Sequence, residues 1–364
     1  MFTENDLKEL LEFKAPGQMV TLYLNTEPSK GNADAYRLRM RSLLKDLKSP
    51  QDVIVIERFF NQEYNWAGRS VAVFSCAEAN FFRAYPLAIA VRDLVIFNDK
   101  PGLKPLTNLL DNYGGYGVAL VDHQGARLFF FHMGELREQE GVIGEEVKHA
   151  KRGGASAVPG RRGGTAGQTR YVEQTIENNM KEVADFAVDF FEKNHVRRIL
   201  IGGTDDNVAL FRTVLPKSWQ SLVKGTFPIG MTTSHAEVLT RAMQIGTESE
   251  MQRESQLVDT LITASAKGAN AVIGLEKTAQ AVNDGRVQTL VLAEEFHHAG
   301  FRCTECDMLV LEPQHCDNCG GAVPVPDIVE QIVHRVMHQG GAIEIVRTSP
   351  RLEQAGQIGA FLRY

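Results

Sequence analysis

Apolar residues recur along this chain with two spacings, alternate positions and one helical turn, and the switches between them mark out its elements. Leu7, Leu10 and Leu11 fall at helical spacing, Pro16-Gly17 interrupts them, and Met19-Val20-Thr21-Leu22-Tyr23-Leu24 predicts a buried strand. A helix is expected from Ala33, with Tyr36, Met40, Leu43, Leu44 and Leu47 on one face and Arg37, Arg39, Arg41, Lys45 and Lys48 around the rest. Further strands are expected at Ser70 to Phe74 and Ala88 to Phe97, then a short helix at Leu106 to Asn112 after Pro101 and Pro105. This stretch, 1–112, is read as a first α/β domain.

Tyr113-Gly114-Gly115-Tyr116-Gly117 predicts a joint, and the apolar runs Val118 to Val121 and Ala126 to Phe131 around Asp122-His123-Gln124-Gly125 predict a hairpin. Val172, Ile176, Met180, Val183, Ala187 and Phe190 then hold a helical stripe from about Thr169, followed by the strand Arg198 to Ile201 and the turn Gly202-Gly203. A second domain over 113–228 is expected. In the third, 229–364, Met251, Leu257, Leu261 and Ile262 lie on a long amphipathic helix closed by Gly268. A helix at Glu276 to Asn283, a strand at Thr289 to Ala293, a helix at Asp327 to His338, a strand at Ala342 to Val346 and a final segment from Gly356 complete it. The pattern contains no internal repeat.

Composition narrows the class. A chain of 364 residues with 43% hydrophobic and 23% charged residues can fill more than one core, at about 150 residues per domain. No apolar run approaches the roughly 20 residues of a membrane span. The start, Met1-Phe2-Thr3-Glu4-Asn5-Asp6, is acidic and polar, so a cytoplasmic location and no membrane partner are expected. The net charge of −6 excludes a globally basic nucleic-acid-coating protein but leaves room for a local cationic patch.

Four of the five cysteines form two C-x-x-C pairs, Cys303/Cys306 and Cys316/Cys319, with Gly320-Gly321 after the second. In a reducing compartment that spacing reads as metal and not as disulfide. Four thiolates fill a tetrahedral Zn²⁺ and leave no open position for water, so a structural zinc ribbon over 301–322 is expected, as a staple and not a catalyst. Chance spacing or redox chemistry is the alternative, and His315 is read as lying outside the ligand set, since Cys316 already supplies the matching position. Cys76 follows an apolar strand, where burial is the default.

Between Lys148 and Arg170 there is no acidic residue, while Lys148, Lys151, Arg152, Arg161, Arg162 and Arg170 are basic and six positions are glycine. Glycine lets the backbone approach another closely, and arginine pairs with phosphate through two parallel hydrogen bonds, so the segment suits RNA. A solvated surface loop is the alternative reading. Neither a G-x-G-x-x-G turn nor a Gly-Lys-Ser/Thr phosphate loop is present.

The stretches Asn283-Asp284-Gly285-Arg286-Val287-Gln288-Thr289-Leu290-Val291-Leu292-Ala293-Glu294, Gly341 to Ile345 and Gly356 to Tyr364 resemble the third domain of class-1 peptide chain release factors of the archaeal and eukaryotic type. The order of basic glycine-rich loop, long helix, strand and Gly-Gly resembles that family's middle domain. The resemblance implies an α/β and α+β, three-domain release-factor-like architecture with a zinc ribbon inserted in the third domain.

It also implies a loop bearing Gly-Gly-Gln that enters the peptidyl transferase centre and promotes hydrolysis of the peptidyl-tRNA ester. Here Gly163-Gly164 is followed by Thr165, and Gln168 is preceded by Ala166-Gly167, so either register alters one position. Gln168 takes the glutamine's place by analogy, Gly163, Gly164 and Gly167 the backbone role, and the six basic residues the rRNA phosphates. The family's stop-codon motifs, Asn-Ile-Lys-Ser and Tyr-x-Cys-x-x-x-Phe, are absent, and Pro28-Ser29-Lys30-Gly31-Asn32 stands where the decoding loop would be. The whole chain is most similar to the divergent bacterial relatives of these factors.

The function expected from the resemblance is a ribosome-associated release or rescue factor acting on peptidyl-tRNA without stop-codon reading. The alternative is a non-catalytic ribosome- or tRNA-binding adaptor that recruits a partner such as a translational GTPase; a zinc-stabilised interaction module unrelated to translation is the third reading. Asp122 and His123 are read as turn residues, His297-His298 as an exposed pair, Phe59-Phe60 and Phe129 to Phe131 as core, and Phe81-Phe82 as packing or base-stacking.

Overall fold

The protein is described from a computed structural model that covers residues 2–144, 165–312, 321–347 and 349–364. Its first part runs α1 (Glu4–Glu12), β1 (Met19–Asn25), α2 (Ala33–Leu44), α3 (Pro50–Arg58), β2 (Ser70–Cys76), β3 (Phe81–Leu87), β4 (Leu94–Asn98) and α4 (Lys104–Tyr113). Then come β5 (Tyr116–Val121), β6 (Gly125–His132), β7 (Glu135–Ile143), α5 (Thr165–Lys193), β8 (Arg198–Gly203), α6 (Asp205–Val214), α7 (Lys217–Gln220), β9 (Val223–Phe227) and α8 (His235–Ala266). The chain ends with β10 (Ala271–Ile273), α9 (Leu275–Asn283), β11 (Val287–Ala293), β12 (Gly300–Cys303), β13 (Leu309–Val310), β14 (Ala322–Val325), α10 (Ile328–His338), β15 (Ala342–Val346), α11 (Pro350–Gln354) and β16 (Ile358–Leu362).

Two compact units result, one of residues 1–111 with 252–364 and one of residues 112–251. In the second, the sheet order is β7-β6-β5-β8-β9, antiparallel on one side of β5 and parallel on the other. Its faces are both apolar: Ala119, Leu128, Ile199 and Ile201 meet Met180, Val183, Ala187 and Phe191 of α5, while Val118, Phe129 and Leu200 meet Val238 and Ala242 of α8. A Cβ on Gly117 would lie 2.7 Å from the Phe191 ring, so glycine is what lets α5 sit this close to β5.

In the first unit, the sheet β3-β2-β1-β4 is entirely antiparallel, and the sheet β10-β16-β11-β15 has one parallel pair, β11 with β15. The β1 strand is buried along its whole length. Val20, Leu22 and Leu24 face Tyr36, Met40 and Ile56 from the two helices that follow it, and Phe60 from the turn just after α3. On the opposite face, Tyr23 donates its hydroxyl to Gly102 O (2.7 Å) and Thr21 Oγ1 accepts from Gly102 N–H (3.0 Å), tying the sheet to the segment before α4.

Two expectations are corrected. The strand read over Ala88 to Phe97 is replaced by β3 and β4, because the charged pair Arg92-Asp93 lies in the connection and Arg83 and Phe81 lie on a half-buried edge strand. There Phe81 stacks on Phe13 (centroids 3.9 Å apart) and Phe82 packs beside Phe59 (5.2 Å), so both aromatics are accounted for by packing. The helix expected from Thr169 begins at Thr165. One glycine costs a helix only about 1 kcal/mol, and elongation from an already formed helix is cheap, so Gly167 does not stop it.

Candidate functional site

The basic segment joins β7 to α5, and the structure describes its two stems. At the strand end, Gly144 N–H donates to Gln124 O (2.5 Å); at the helix, Asn179 Nδ2 donates to His123 O (3.1 Å). Both stems are thus fixed to the β5–β6 turn. That turn is held by Asp122, whose Oδ1 accepts from Gln124 N–H (2.8 Å) and Gly125 N–H (2.9 Å), which gives Asp122 and His123 the turn role expected of them. A Cβ on Gly144 would come within 2.5 Å of Asn179 Oδ1, so the strand can leave the sheet here only as glycine.

Among the α5 residues whose side chains are described, the buried ones are Thr175, Asn179, Met180, Val183, Ala184, Ala187, Phe190 and Phe191. Ahead of them Tyr171 is 68% exposed, and at the opposite stem Ile143 is 87% exposed. At the far end of the helix Lys193 pairs with Glu138 and Glu140 of β7, and those bonds hold the Glu138 carboxyl below its ordinary range. From Tyr171 onward the helix carries Glu173, Glu177, Glu182, Asp185, Asp189 and Glu192 against Lys181 and Lys193. An acidic shaft therefore follows a basic segment.

Of the residues named for RNA contact and catalysis, Gly167, Gln168 and Arg170 lie in the first turns of α5. Lys148, Lys151, Arg152, Arg161, Arg162, Gly163 and Gly164 lie outside the described residues. For the metal, Cys303 ends β12, buried, and Cys306 lies in the turn that follows. Cys303 N–H donates to Met308 O (2.9 Å) and Asp307 N–H to Cys303 O (3.1 Å), closing the turn at the base of a hairpin in the sheet β13-β12-β14. Cys316 and Cys319 lie outside the described residues, and Thr304 N–H reaches Gly321 O (3.3 Å) just past them. A C-x-x-C turn at the root of a three-stranded ribbon suits a thiolate-held zinc ion. Among the described residues no cluster of three or more metal-ligating side chains is formed.

A second polar site lies in the first unit and was not legible in the sequence. Lys104 Nζ, buried, donates to Phe296 O (2.9 Å), and Glu330 Oε2, also buried, accepts from Leu103 N–H (3.3 Å). Asn108 Nδ2 donates to Glu294 (3.0 Å), Gln331 to Asp99 (2.6 Å), and His334 Nε2 faces Pro101 O at 2.6 Å. His297 and His298 are exposed, as expected of them, and His297 Nδ1 also meets Asp327 Oδ2 at 2.6 Å, a carboxylate that caps α10. Burial, with Asp327 nearby, pushes the Glu330 carboxyl up to about 7, while burial pulls His334 down to about 4. Burial also lowers Lys104, opposed by Glu330.

Residues 101–247 match the family model described as bacterial archaeo-eukaryotic release factor family 10. The chain is 24% identical over 302 residues to peptide chain release factor subunit 1 of Methanocaldococcus jannaschii, covering 72% of this chain and 69% of that one. It is 26% identical over 202 residues to the protein pelota homolog of Methanocella arvoryzae, covering 52% of this chain and 50% of that one. Aligned with the crystal structure of Archaeoglobus fulgidus Pelota, it has 16% identity and a TM-score of 0.35 over 100% of this chain and 92% of the other. The chain thus spans about half the length of the pelota relative.

Proposed function

For this chain, a divergent release-factor-like protein, we propose a role at the ribosome in releasing the nascent peptide from stalled peptidyl-tRNA without reading a stop codon. The observation that carries this reading is the mounting of the basic glycine-rich segment: it joins β7 to α5 within the stretch that matches the release-factor family model. The chemistry asked of it is modest. Gln168 positions water at the ester or supports charge on its carbonyl oxygen, Gly163, Gly164 and Gly167 let the backbone approach, and Lys148, Lys151, Arg152, Arg161, Arg162 and Arg170 hold rRNA phosphates.

A net charge of −6 is compatible with this, because phosphate binding draws on the local cations alone. Structural zinc, held by Cys303, Cys306, Cys316 and Cys319, staples the ribbon and takes no part in the reaction. The reading places the protein in the cytoplasm; no helix among the described residues is long and apolar enough to cross a membrane.

One observation favours a second reading. Gln168 falls inside α5, one turn from its start, and the tripeptide around it is altered in either register. A non-catalytic adaptor that grips the ribosome or tRNA and recruits a translational GTPase would need the cations and not the glutamine.

Peptide release from purified ribosomes carrying peptidyl-tRNA, with stop, sense and empty A sites, separates the two. Release that ignores the codon and falls at least about tenfold in Gln168→Ala is expected if the glutamine lowers the barrier by about 1.4 kcal/mol or more. Binding without release in the wild type would leave the adaptor, and no ribosome binding would remove both.

A further inference from the structure

We propose that a pocket inside the first unit, between α4, α10 and the segment that follows β11, binds a free α-amino acid with an apolar side chain. Lys104 and Arg92 take its carboxylate, and Glu330 and Glu294 take its ammonium group. The site is separate from the basic segment of the second unit, and the inference holds whether or not the protein acts at the ribosome.

The pocket encloses about 360 Å³, near the lower limit for small-molecule sites. Lys104 and Asn108 reach it from successive turns of α4, Glu294 and His297 from beyond β11, Glu330 from α10, and Arg92 from the connection between β3 and β4. All belong to the first unit. Val91, Leu94, Pro105 and Ile345 add apolar wall. The charges are graded by depth: Lys104 and Glu330 are buried and Glu294 is half-buried, whereas Arg92 and His297 are exposed.

The two deepest charges are each short of partners and are not paired with each other. In its ammonium form Lys104 Nζ has three donors, and among the described residues it makes one hydrogen bond, to Phe296 O (2.9 Å). Glu330 is set as a carboxylate: it lies at the N-terminal end of α4, where Leu103 N–H donates to Oε2 (3.3 Å) and the Lys104 backbone also favours the ionised form. Its Oε1 is buried and has no hydrogen-bond partner among the described residues. Glu294 Oε1 accepts from Asn108 Nδ2 (3.0 Å), which orients that carboxylate. His297 gives its Nδ1 proton to Asp327 Oδ2 (2.6 Å), so in the neutral ring Nε2 is one more acceptor.

A buried charge left unpaired is costly, and a ligand that pairs it relieves that cost on binding. A simple cation would satisfy Glu330 and leave Lys104 as it is, and a simple anion would do the reverse. A zwitterion serves both. The small volume favours the shortest such molecule, an α-amino acid, and the apolar wall suits an aliphatic side chain.

Isothermal titration calorimetry on the full chain at pH 8, where Glu330 carries its charge, tests this with L-leucine as the probe. Two analogues each lack one charge: 3-methylbutan-1-amine has no carboxylate, and 4-methylpentanoate has no ammonium group. Leucine is expected to bind with a Kd below about 1 mM, and each analogue at least about tenfold more weakly. Glu330→Gln keeps an acceptor for Leu103 N–H but removes the charge, and should weaken leucine binding at least about tenfold with the circular dichroism unchanged. No binding of leucine at about 10 mM, the result expected if water alone links Lys104 to Glu330, would overturn the proposal. It would equally be overturned by an analogue that binds wild type as tightly as leucine does, or by a folded Glu330→Gln with wild-type affinity for leucine. Should Glu330→Gln not fold, the two analogues decide on the wild type alone.

Discussion

The two units bury their sheets by different means. In residues 112–251 both faces of the sheet are closed by apolar side chains, and the buried Glu250 is paired with the half-buried Arg198 at 3.2 Å. In the other unit the buried Leu103 and Leu106 share residues 98–108 with polar contacts: Lys104 donates to Phe296 O, Glu330 accepts from Leu103 N–H, Gln331 donates to the Asp99 carboxylate, and His334 faces Pro101 O. An apolar core resists separation at any pH, since its strength scales with area removed from water. A polar junction of buried groups holds only while every partner is in the right protonation state, and it is therefore the part that conditions can loosen.

The largest effect that tests the contrast is in the apolar unit. Phe191 is fully buried against Trp219, with centroids 5.9 Å apart, and Phe191→Ala is expected to cost about 3–5 kcal/mol by leaving a cavity under β5. The chain has two tryptophans, Trp219 in this unit and Trp66 among Tyr36, Phe60 and Tyr64 in the other. Urea titration followed by fluorescence should show the Trp219 transition move to lower denaturant at every pH from 5 to 8. A pH-dependent loss would break the contrast.

Lys104→Met comes second and should behave in the opposite way. It removes the donor to Phe296 O and the cation that favours the Glu330 carboxylate, at about 1–3 kcal/mol. The cost should be larger above pH 7, where Glu330 would be ionised without its counter-charge, and smaller below, where the carboxyl is neutral. Thermal unfolding followed through the Trp66 signal at pH 6 and pH 8 checks the sign. An equal cost at both would mean that Glu330 does not titrate there.

How far each region was legible in the sequence follows the same division. The α5 stripe, the β5–β6 hairpin with its Asp122 turn and the buried β1 run were readable because their signals are local: periodicity, turn residues and continuous apolar stretches. The edge strand β7 was missed because Glu135, Arg137, Glu138 and Glu140 give it the look of a loop, as charges on sheet edges do. The junction was missed for a deeper reason. Glu330, Gln331 and His334 occupy one stripe of α10, which in an amphipathic helix reads as the solvent face, and the partner that buries Glu330 lies 227 residues earlier. The faint signal was that this stripe carries no lysine. For the basic segment the sequence remains the fuller source, since it supplies the cations and the altered tripeptide while the structure supplies the stems.

The smallest effect sharpens the comparison by showing that charge alone is not what matters. Arg83 and Glu9 pair at 2.5 Å, yet they are 43% and 42% exposed, and their bond, which raises the Arg83 pKa, is screened by water. Arg83→Ala is expected to cost less than about 1 kcal/mol, with part of that from lost contact of the guanidinium over the Phe81 ring at 5.0 Å. If the Coulombic part dominates, raising salt should shrink the difference between variant and wild type. If stacking dominates, the difference should survive high salt and vanish in a Phe81→Leu background. A cost approaching that of Lys104→Met would mean that burial is not what separates the two charged sites, and the contrast between the junction and the rest of the surface would have to be abandoned.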